Sequence, residues 1–279
     1  MGCTRWHQLD RYLYTAEVSQ TFQSPFGRVW DLSELLRARS LQYWRPDKHL
    51  CVDEAIARFT GRASEVVIIK TKPTPEGFKI WCLANDGVVL NWLFHARGKG
   101  RGPVNLPTFT DADAQAFTPT ESVPVALVLA VDADGQRLFP SGLHIVWDDN
   151  LFNTIPMLEY LRRQGTTTEE TFEDAARVEL QAEDVSVKGR ARQKVAKERF
   201  SSSLMRLKTQ FTKHMEWGEI RWDLSKSGEV LQAAWRDNQV VLFASTVAEP
   251  IQVIMKLRRR SKMSQNNKGI FAKAFGNEP

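Results

Sequence analysis

The sequence predicts an α/β protein whose helices flank a mixed sheet, and three patterns support that fold class. Residues 77–83 and 88–95 are typical strand sequences, and the Asn-Asp-Gly between them is a strong signal for a hairpin. Residues 143–149 predict a strand, followed at once by a helix over 151–163 whose last residues are basic, as suits a helix C-terminus. The third pattern is a three-stranded meander, predicted over residues 217–224, 230–235 and 240–247.

Composition places the chain among ordinary globular proteins. Of its 279 residues, 42% are hydrophobic and 25% are charged, which allows one large domain or two modest ones. The net charge of +5 favours polyanionic partners only mildly. Cys3, Cys51 and Cys82 are far apart and odd in number, so we expect no disulfide framework or zinc site, and a reducing compartment. The sequence has neither an apolar run of membrane-spanning length nor an apolar signal-peptide core, so we expect a soluble, intracellular protein.

Changes of pattern along the chain divide it into five predicted regions. Leu32, Leu35, Leu36 and Leu41 recur at helical spacing and predict an amphipathic helix on the core, ending before Pro46. Residues 123–131 are apolar throughout and fit either a buried helix or a buried strand. The predicted regions are an N-terminal helical segment (1–48), a core (49–165), a charge-segregated linker or helix (166–199), a β-rich insertion (200–250) and a basic, disordered tail (251–279).

Two pairs of acids follow apolar runs and form the candidate chemistry. Residues 50–52 lead into Asp53 and Glu54, and residues 145–147 lead into Asp148 and Asp149. Carboxylates held at neighbouring strand ends suit Mg²⁺, which prefers oxygen ligands. Two such ions roughly 3.5–4 Å apart can hold both reacting oxygens of a phosphoryl transfer. The second run is apolar on both faces, so alternation cannot choose between Asp148 and Asp149. Surface acids after buried strands are the plain alternative.

Basic side chains are the candidate contacts to DNA phosphates. Some lie in the predicted core and its loops, and others in the tail. A salt bridge is the competing interpretation for Arg62 and Lys79, and a solvated loop is the competing interpretation for Arg97, Lys99 and Arg101. The candidates are Arg62, Lys79, Arg97, Lys99, Arg101, Arg258, Arg259 and Arg260.

The residues around the acids resemble the catalytic domain of piggyBac-type transposases, and within that family the fungal, transposon-derived branch. The similar segments follow the family's order and cover most of the chain from about residue 29 onward. They are 50–56 (LCVDEAI), 59–62 (FTGR), 72–73 (KP), 77–81 (GFKIW), 149–152 (DNLF), 155–156 (IP) and 239–247 (QVVLFASTV).

This resemblance implies an RNase H-like core interrupted by a β-rich insertion, and cut-and-paste DNA transposition by three metal-binding aspartates. Asp53 corresponds to the first aspartate and Asp149 to the second, while Mg²⁺ is the ancestral cofactor and the nucleus the expected location. The family's third aspartate, in a Gly-Val-Asp block, and its cysteine-rich zinc module have no counterpart among these 279 residues. The sequence also departs from the family after Gly165, where a core strand is expected.

Three hypotheses about function follow. The favoured one is a transposase-derived domain, truncated before the third aspartate, that binds DNA but is catalytically incomplete and has the capacity to form a homodimer. The second is an active transposase or nuclease, if a longer product or another chain supplies the third carboxylate. The third is a protein-interaction module presenting Trp217, Trp222 and Trp235, although we expect these tryptophans to pack in the core.

Overall fold

A computed structural model describes residues 2–17, 21–22, 24–70, 72–97, 102–149, 151–165, 186–190, 200–236 and 239–246. Most of the predicted linker and all of the predicted basic tail lie outside these residues. So do five candidate DNA contacts, namely Lys99, Arg101, Arg258, Arg259 and Arg260.

The described chain contains both helices and strands. The helices are α1 (Cys3–Tyr12), α2 (Trp30–Tyr43), α3 (Ala112–Gln115), α4 (Ser122–Val128), α5 (Ile155–Gly165) and α6 (Ser202–His214), with a 3₁₀ turn at Pro25–Val29. The strands are β1 (His49–Arg58), β2 (Val66–Ile68), β3 (Glu76–Asn85), β4 (Val88–Ala96), β5 (Gly102–Pro103), β6 (Ile145–Asp148), β7 (Ser186–Arg190), β8 (Ile220–Leu224), β9 (Leu231–Arg236) and β10 (Val240–Ser245).

The strands form a mixed sheet in the order β5-β4-β3-β1-β6-β7-β10-β9-β8, with β2 beside β3. The β1–β6 and β6–β7 pairs are parallel, and the other pairs are antiparallel. The predicted α/β class with a mixed sheet is therefore confirmed. Among the described helices, none combines the length and apolar character that a bilayer span requires.

The predicted hairpin joins β3 to β4. Its turn residues, Asp86 and Gly87, have φ angles of 47° and 82°, which suits the Asp-Gly turn that two-residue hairpins favour. Asn85 and Val88 are the last paired residues on either side of it. The hairpin prediction is confirmed.

One face of the sheet carries the main core. Leu50 and Val52 of β1 and Val146 of β6 are fully buried there. The apolar run that fitted either a helix or a strand forms α4, which is buried along its whole length and contacts β3 and β4. Pro124 is tolerated because it lies in the first turn, where a helix needs no amide donor.

The opposite face is covered over β3 and β4 by the 3₁₀ turn and α2. The Phe26 ring stacks on Phe94 with 4.8 Å between ring centroids. The Trp92 indole N–H donates to Ser33 Oγ at 2.8 Å, and Arg37 Nη2 donates to the Trp92 carbonyl at 2.8 Å. Helix α2 thus docks on the sheet through polar contacts to one tryptophan.

The prediction that the leucines of α2 form one core-facing stripe is wrong. Leu32, Leu35 and Leu36 are 39%, 54% and 51% exposed, whereas Leu41 packs against the core. Nine residues at about 100° each place Leu41 on the side of the helix opposite Leu32. The spacing predicted the helix correctly, but the four leucines do not share a face.

Strand β1 is longer than predicted. We expected it to end at Asp53, but it continues to Arg58 because β3 pairs with it as far as Gly77. The parallel pairing with β6 ends earlier, at Val52 and Asp148. Asp53 therefore lies in the middle of a strand, immediately past the end of its pairing with β6.

The meander β8–β10 continues the same sheet, because β10 pairs with β7. Helix α6 packs on one of its faces, where Leu204 and Leu207 cluster with Val240 and Leu242. Residues of the other face alternate with these. They include Ile220, Trp222 and Leu224 of β8, each about half exposed.

The expectation that the meander tryptophans pack in the core is therefore wrong. Trp217 and Trp222 are 53% and 50% exposed, and Trp235 is partly exposed. Trp222 is paired with Ala233 on the face that α6 does not cover. An apolar side chain in a strand indicates burial only if a second layer covers its face, and that cannot be read from the strand sequence alone.

Candidate metal centre

The parallel register of β1 and β6 determines how the two acidic segments meet. Cys51 pairs with Trp147, and Val52 pairs with Asp148. Along β1 the side chains alternate, so that Val52 is buried and Asp53 is exposed. Asp149, the residue after β6, is likewise exposed. Asp53 and Asp149 therefore each follow a buried, paired residue in adjacent strands, and both are open to solvent.

Asp148 points the other way. It is 7% exposed, and both of its carboxyl oxygens are buried. Burial raises the pKa of Asp148 well above its usual value, with the neighbouring Asn153 side chain opposing that rise in part. A carboxyl that faces the core in this way is poorly placed to hold a solvated metal ion, so the geometry favours Asp149 over Asp148.

Local contacts orient the two exposed acids. Asp53 Oδ1 accepts a hydrogen bond from the Glu54 amide at 2.7 Å. The Asp149 carbonyl accepts one from the Phe152 amide at 3.1 Å, which closes the turn after β6. Phe152 is fully buried and packs edge-on against Trp81, with 5.5 Å between ring centroids. The turn that carries Asp149 is thus anchored in the core by Phe152.

The thiols beside Asp53 do not compete with it as charged ligands. Burial raises the pKa of Cys51, and nearby Asp53 and Asp148 raise it further. Burial, followed by the charge of Asp53, raises the pKa of Cys82 to about 11. Both thiols are therefore protonated at neutral pH, and a thiol is a poor ligand compared with a thiolate.

The exposed donors fit Mg²⁺ in type. Mg²⁺ is usually bound by one or two carboxylates together with substrate phosphates and water, and Asp53 and Asp149 supply two. Within the described part of the chain, no group of three His, Cys, Asp or Glu side chains is arranged to hold a metal. The two acids could therefore hold such an ion only with ligands from elsewhere.

Comparison of the chain with known proteins identifies its family. A family model described as Transposase IS4, of the DDE type, matches residues 1–270. The chain belongs to this transposase family. No curated protein matches it.

This transposase domain also resembles a solved structure, the "Cryo-EM structure of piggyBac transposase synaptic complex with hairpin DNA". The identity is 16% and the TM-score 0.61, over 91% of this chain and 45% of that one. The chain thus spans less than half the length of the transposase it matches. The RNase H-like fold and the resemblance to piggyBac-type transposases that the sequence predicts are confirmed.

Lys79 lies on the face of the transposase sheet opposite Asp53. It pairs with Ile56, and its Nζ is 3.7 Å from the centre of the Trp81 ring, on the core side. Burial lowers the pKa of Lys79. Glu54 shares this face and forms a salt bridge to Lys72 at 3.3 Å. The structure does not bring Lys79 and Asp53 together on one surface.

Arg62 and Arg97 meet in another part of the domain. Both line an open groove beside β2, past the end of β1. Arg97 is fixed there, because its Nη1 donates to the Val66 carbonyl at 2.8 Å and its amide donates to Glu65. Arg62 is exposed. As DNA contacts, both remain predictions.

Sequence reasoning missed Trp147. Its indole N–H donates to His49 Nδ1 at 3.0 Å, and the side chain is 42% exposed on the Asp53 face. Side chains alternate between the two faces of a strand, so Trp147, two residues before Asp149, is expected on the same face as Asp149. This signal could not be recognised before the exposed face of β6 was known.

Proposed function

We propose that this transposase-family domain binds DNA over the exposed face of its sheet, with Asp53 and Asp149 holding a divalent cation beside a phosphate. The register that aligns these two acids on adjacent strands is the observation that supports this proposal. A bound Mg²⁺ would supply positive charge to a phosphoryl group. The residues of the chain orient the ligands, through the Glu54 amide for Asp53 and the anchored Phe152 turn for Asp149.

The 279 residues by themselves are catalytically incomplete in this proposal. The family resemblance maps two of three aspartates onto the chain, and the third block has no counterpart in the sequence. Two carboxylates leave a two-metal centre short of coordination and of negative charge. We therefore propose DNA binding without cleavage, unless a longer product or another chain supplies the third carboxylate, and a nuclear location.

Metal binding tests the assignment of the two acids. Mn²⁺ titration followed by electron paramagnetic resonance should show weaker binding in Asp53→Asn and in Asp149→Asn. We expect each variant to bind Mn²⁺ at least tenfold more weakly, since mutating even the residues that only orient metal ligands lowers metal affinity by about 10–100-fold. Asp134→Asn is the matched control, because it removes an exposed carboxylate that belongs to neither β1 nor β6. Equal affinity in all four proteins would refute the assignment.

DNA binding is tested by fluorescence anisotropy with duplex DNA over a salt series. Contacts to phosphates release counterions, so the affinity should fall steeply as salt rises. A product assay in Mg²⁺ and Mn²⁺ should show no nicked or cleaved DNA. No binding at low salt would remove the proposal, and cleavage abolished by Asp53→Asn would replace it with the active-enzyme alternative. A fluorescent fusion tests nuclear location.

A second candidate function, self-association through β8, has one observation in its favour. β8 is the terminal strand of the sheet, all five of its residues are exposed, and Ile220, Trp222 and Leu224 form an apolar row. Exposed apolar edge strands are templates for pairing with another chain, here a second copy. Light scattering should then show a dimer that Trp222→Ser and Ile220→Lys disrupt. A monomer at high concentration would exclude it.

A further inference from the structure

An exposed tryptophan lies beside the candidate metal ligands. Trp147 belongs to β6, an internal strand of the sheet with β1 on one side and β7 on the other. Apolar side chains of internal strands are ordinarily buried, yet Trp147 is 42% exposed. It lies on the same face as Asp53, since its register partner is Cys51, two residues before Asp53.

The indole is held in one orientation. Its Nε1–H donates to His49 Nδ1 at 3.0 Å, and the two rings are 6.0 Å apart at an interplanar angle of 47°. His49 and Trp147 belong to different strands, so the contact links β1 to β6. A large ring whose N–H is already bonded offers its apolar faces, rather than its polar edge, to a ligand.

The spacing suits a nucleotide. Asp149 lies two residue steps beyond Trp147, or about 6.6 Å along an extended chain, which is on the order of the length of one extended nucleotide. A phosphate held through a cation at Asp53 and Asp149 would leave the adjoining base within reach of Trp147. Aromatic side chains bind bases by stacking without regard to sequence, because every base has a π face.

We propose that Trp147, positioned by His49, stacks on the base next to the phosphate held at Asp53 and Asp149. This inference rests on the proposed function and adds a ligand class to it, namely a DNA end with an unpaired nucleotide. Such a base can leave the helical stack without breaking a pair. The contact requires a divalent cation, because two carboxylates repel a phosphate in its absence.

Fluorescence of 2-aminopurine reports the contact directly. Duplexes carrying one unpaired 2-aminopurine at the end, and blunt duplexes, are titrated with the 279-residue chain in Mg²⁺ and in chelator. Wild type should quench the fluorophore in Mg²⁺ only, and Trp147→Phe should retain quenching. Trp147→Leu should lose it and bind the unpaired end about tenfold more weakly.

Two further variants separate this role from a structural one. Trp6→Leu removes an exposed tryptophan from α1, outside the sheet, and should quench like wild type. His49→Gln keeps a hydrogen-bond acceptor and should retain quenching, whereas His49→Leu should reduce it. Urea unfolding midpoints establish that each variant is folded.

The outcomes distinguish this inference from the proposed function. Absence of DNA binding by wild type at low salt removes both. Normal binding with the same quenching in Trp147→Leu as in wild type overturns the stacking role alone. A change of oligomeric state in Trp147→Leu, with quenching retained, would likewise overturn it and assign the residue to a protein contact.

Discussion

Val52 of β1 lies opposite Asp148 of β6 in a parallel register, and both side chains are buried. This pairing determines which side chains of β1 and β6 face the core at the point where the acidic residues begin. One residue further, Asp53 and Asp149 are exposed. The register therefore separates two adjacent aspartates, Asp148 and Asp149, into a buried carboxyl and an exposed one.

We expect Asp148 to make stability depend on pH. Burial raises its pKa in the folded protein above the usual value of 3.8, so it stays protonated there while the unfolded chain ionises. Its favourable contribution is complete below pH 3.8 and is lost as pH rises toward the folded pKa. Over that window the loss is up to ~1.4 kcal/mol per pH unit.

Asp148→Asn removes this dependence while keeping the shape of the side chain. Urea unfolding across a pH series should show the variant gaining stability on wild type as pH rises above about 4. Asp134→Asn, which changes an exposed carboxylate, controls for net charge. A difference between Asp148→Asn and wild type that stays constant with pH would contradict the prediction.

Phe152 should matter for stability and for the metal site together. Replacing this fully buried ring with alanine should lower the free energy of unfolding by about 3–5 kcal/mol. Because its buried ring anchors the turn that carries Asp149, Mn²⁺ affinity should also fall in the protein that remains folded. Phe243→Ala, at a ring 38% exposed, should cost much less in stability and nothing in affinity.

The cysteines report the charge of Asp53. The raised pKa values of Cys51 and Cys82 should make both thiols slow to react with iodoacetamide at neutral pH, with the rate rising as pH increases. Asp53→Asn removes one cause of both shifts, so alkylation of both thiols should become faster. Peptide mass spectrometry measures the rates. Unchanged rates in Asp53→Asn would show that the carboxylate lies too far from the thiols to act on them.

Docking of α2 should depend on Arg37. Its guanidinium donates to the Trp92 carbonyl and lies 5.3 Å from the centre of the Trp92 ring. Arg37→Ala should therefore cost about 1–3 kcal/mol of unfolding free energy. Arg39→Ala, on the exposed side of the same helix, should change it by about 0.5 kcal/mol or less. Equal effects in thermal or urea unfolding would show that α2 does not dock through Arg37.

Local signals predicted the elements that depend on neighbouring residues. The Asp-Gly turn specified the β3–β4 hairpin, because its conformation needs positive φ angles. Helix α5 followed from its apolar spacing, but it begins at Ile155, later than predicted. Pro156 fits its first turn, so the residues after Asp149 form a turn instead.

Predictions about which face is covered succeeded less often. The leucines of α2 and the tryptophans of the meander were expected in the core, and several of them are exposed. In both places the neighbouring layer, rather than the hydrophobicity of the residue, determines burial. The groove beside β2 likewise unites Arg62 and Arg97 through strand pairing that their sequence positions do not reveal.

The sequence by itself determined the family, the α/β class and the two acidic segments, because these depend on residue identity and short-range order. Only the tertiary structure decided which acids face solvent, since the pairing of β6 with β1 determines which side chains of β6 point to the core. It also set Trp147 beside Asp53 and turned Lys79 to the opposite face. Adjacent residues of a strand point in opposite directions, so one step of register decides which side chains share a surface.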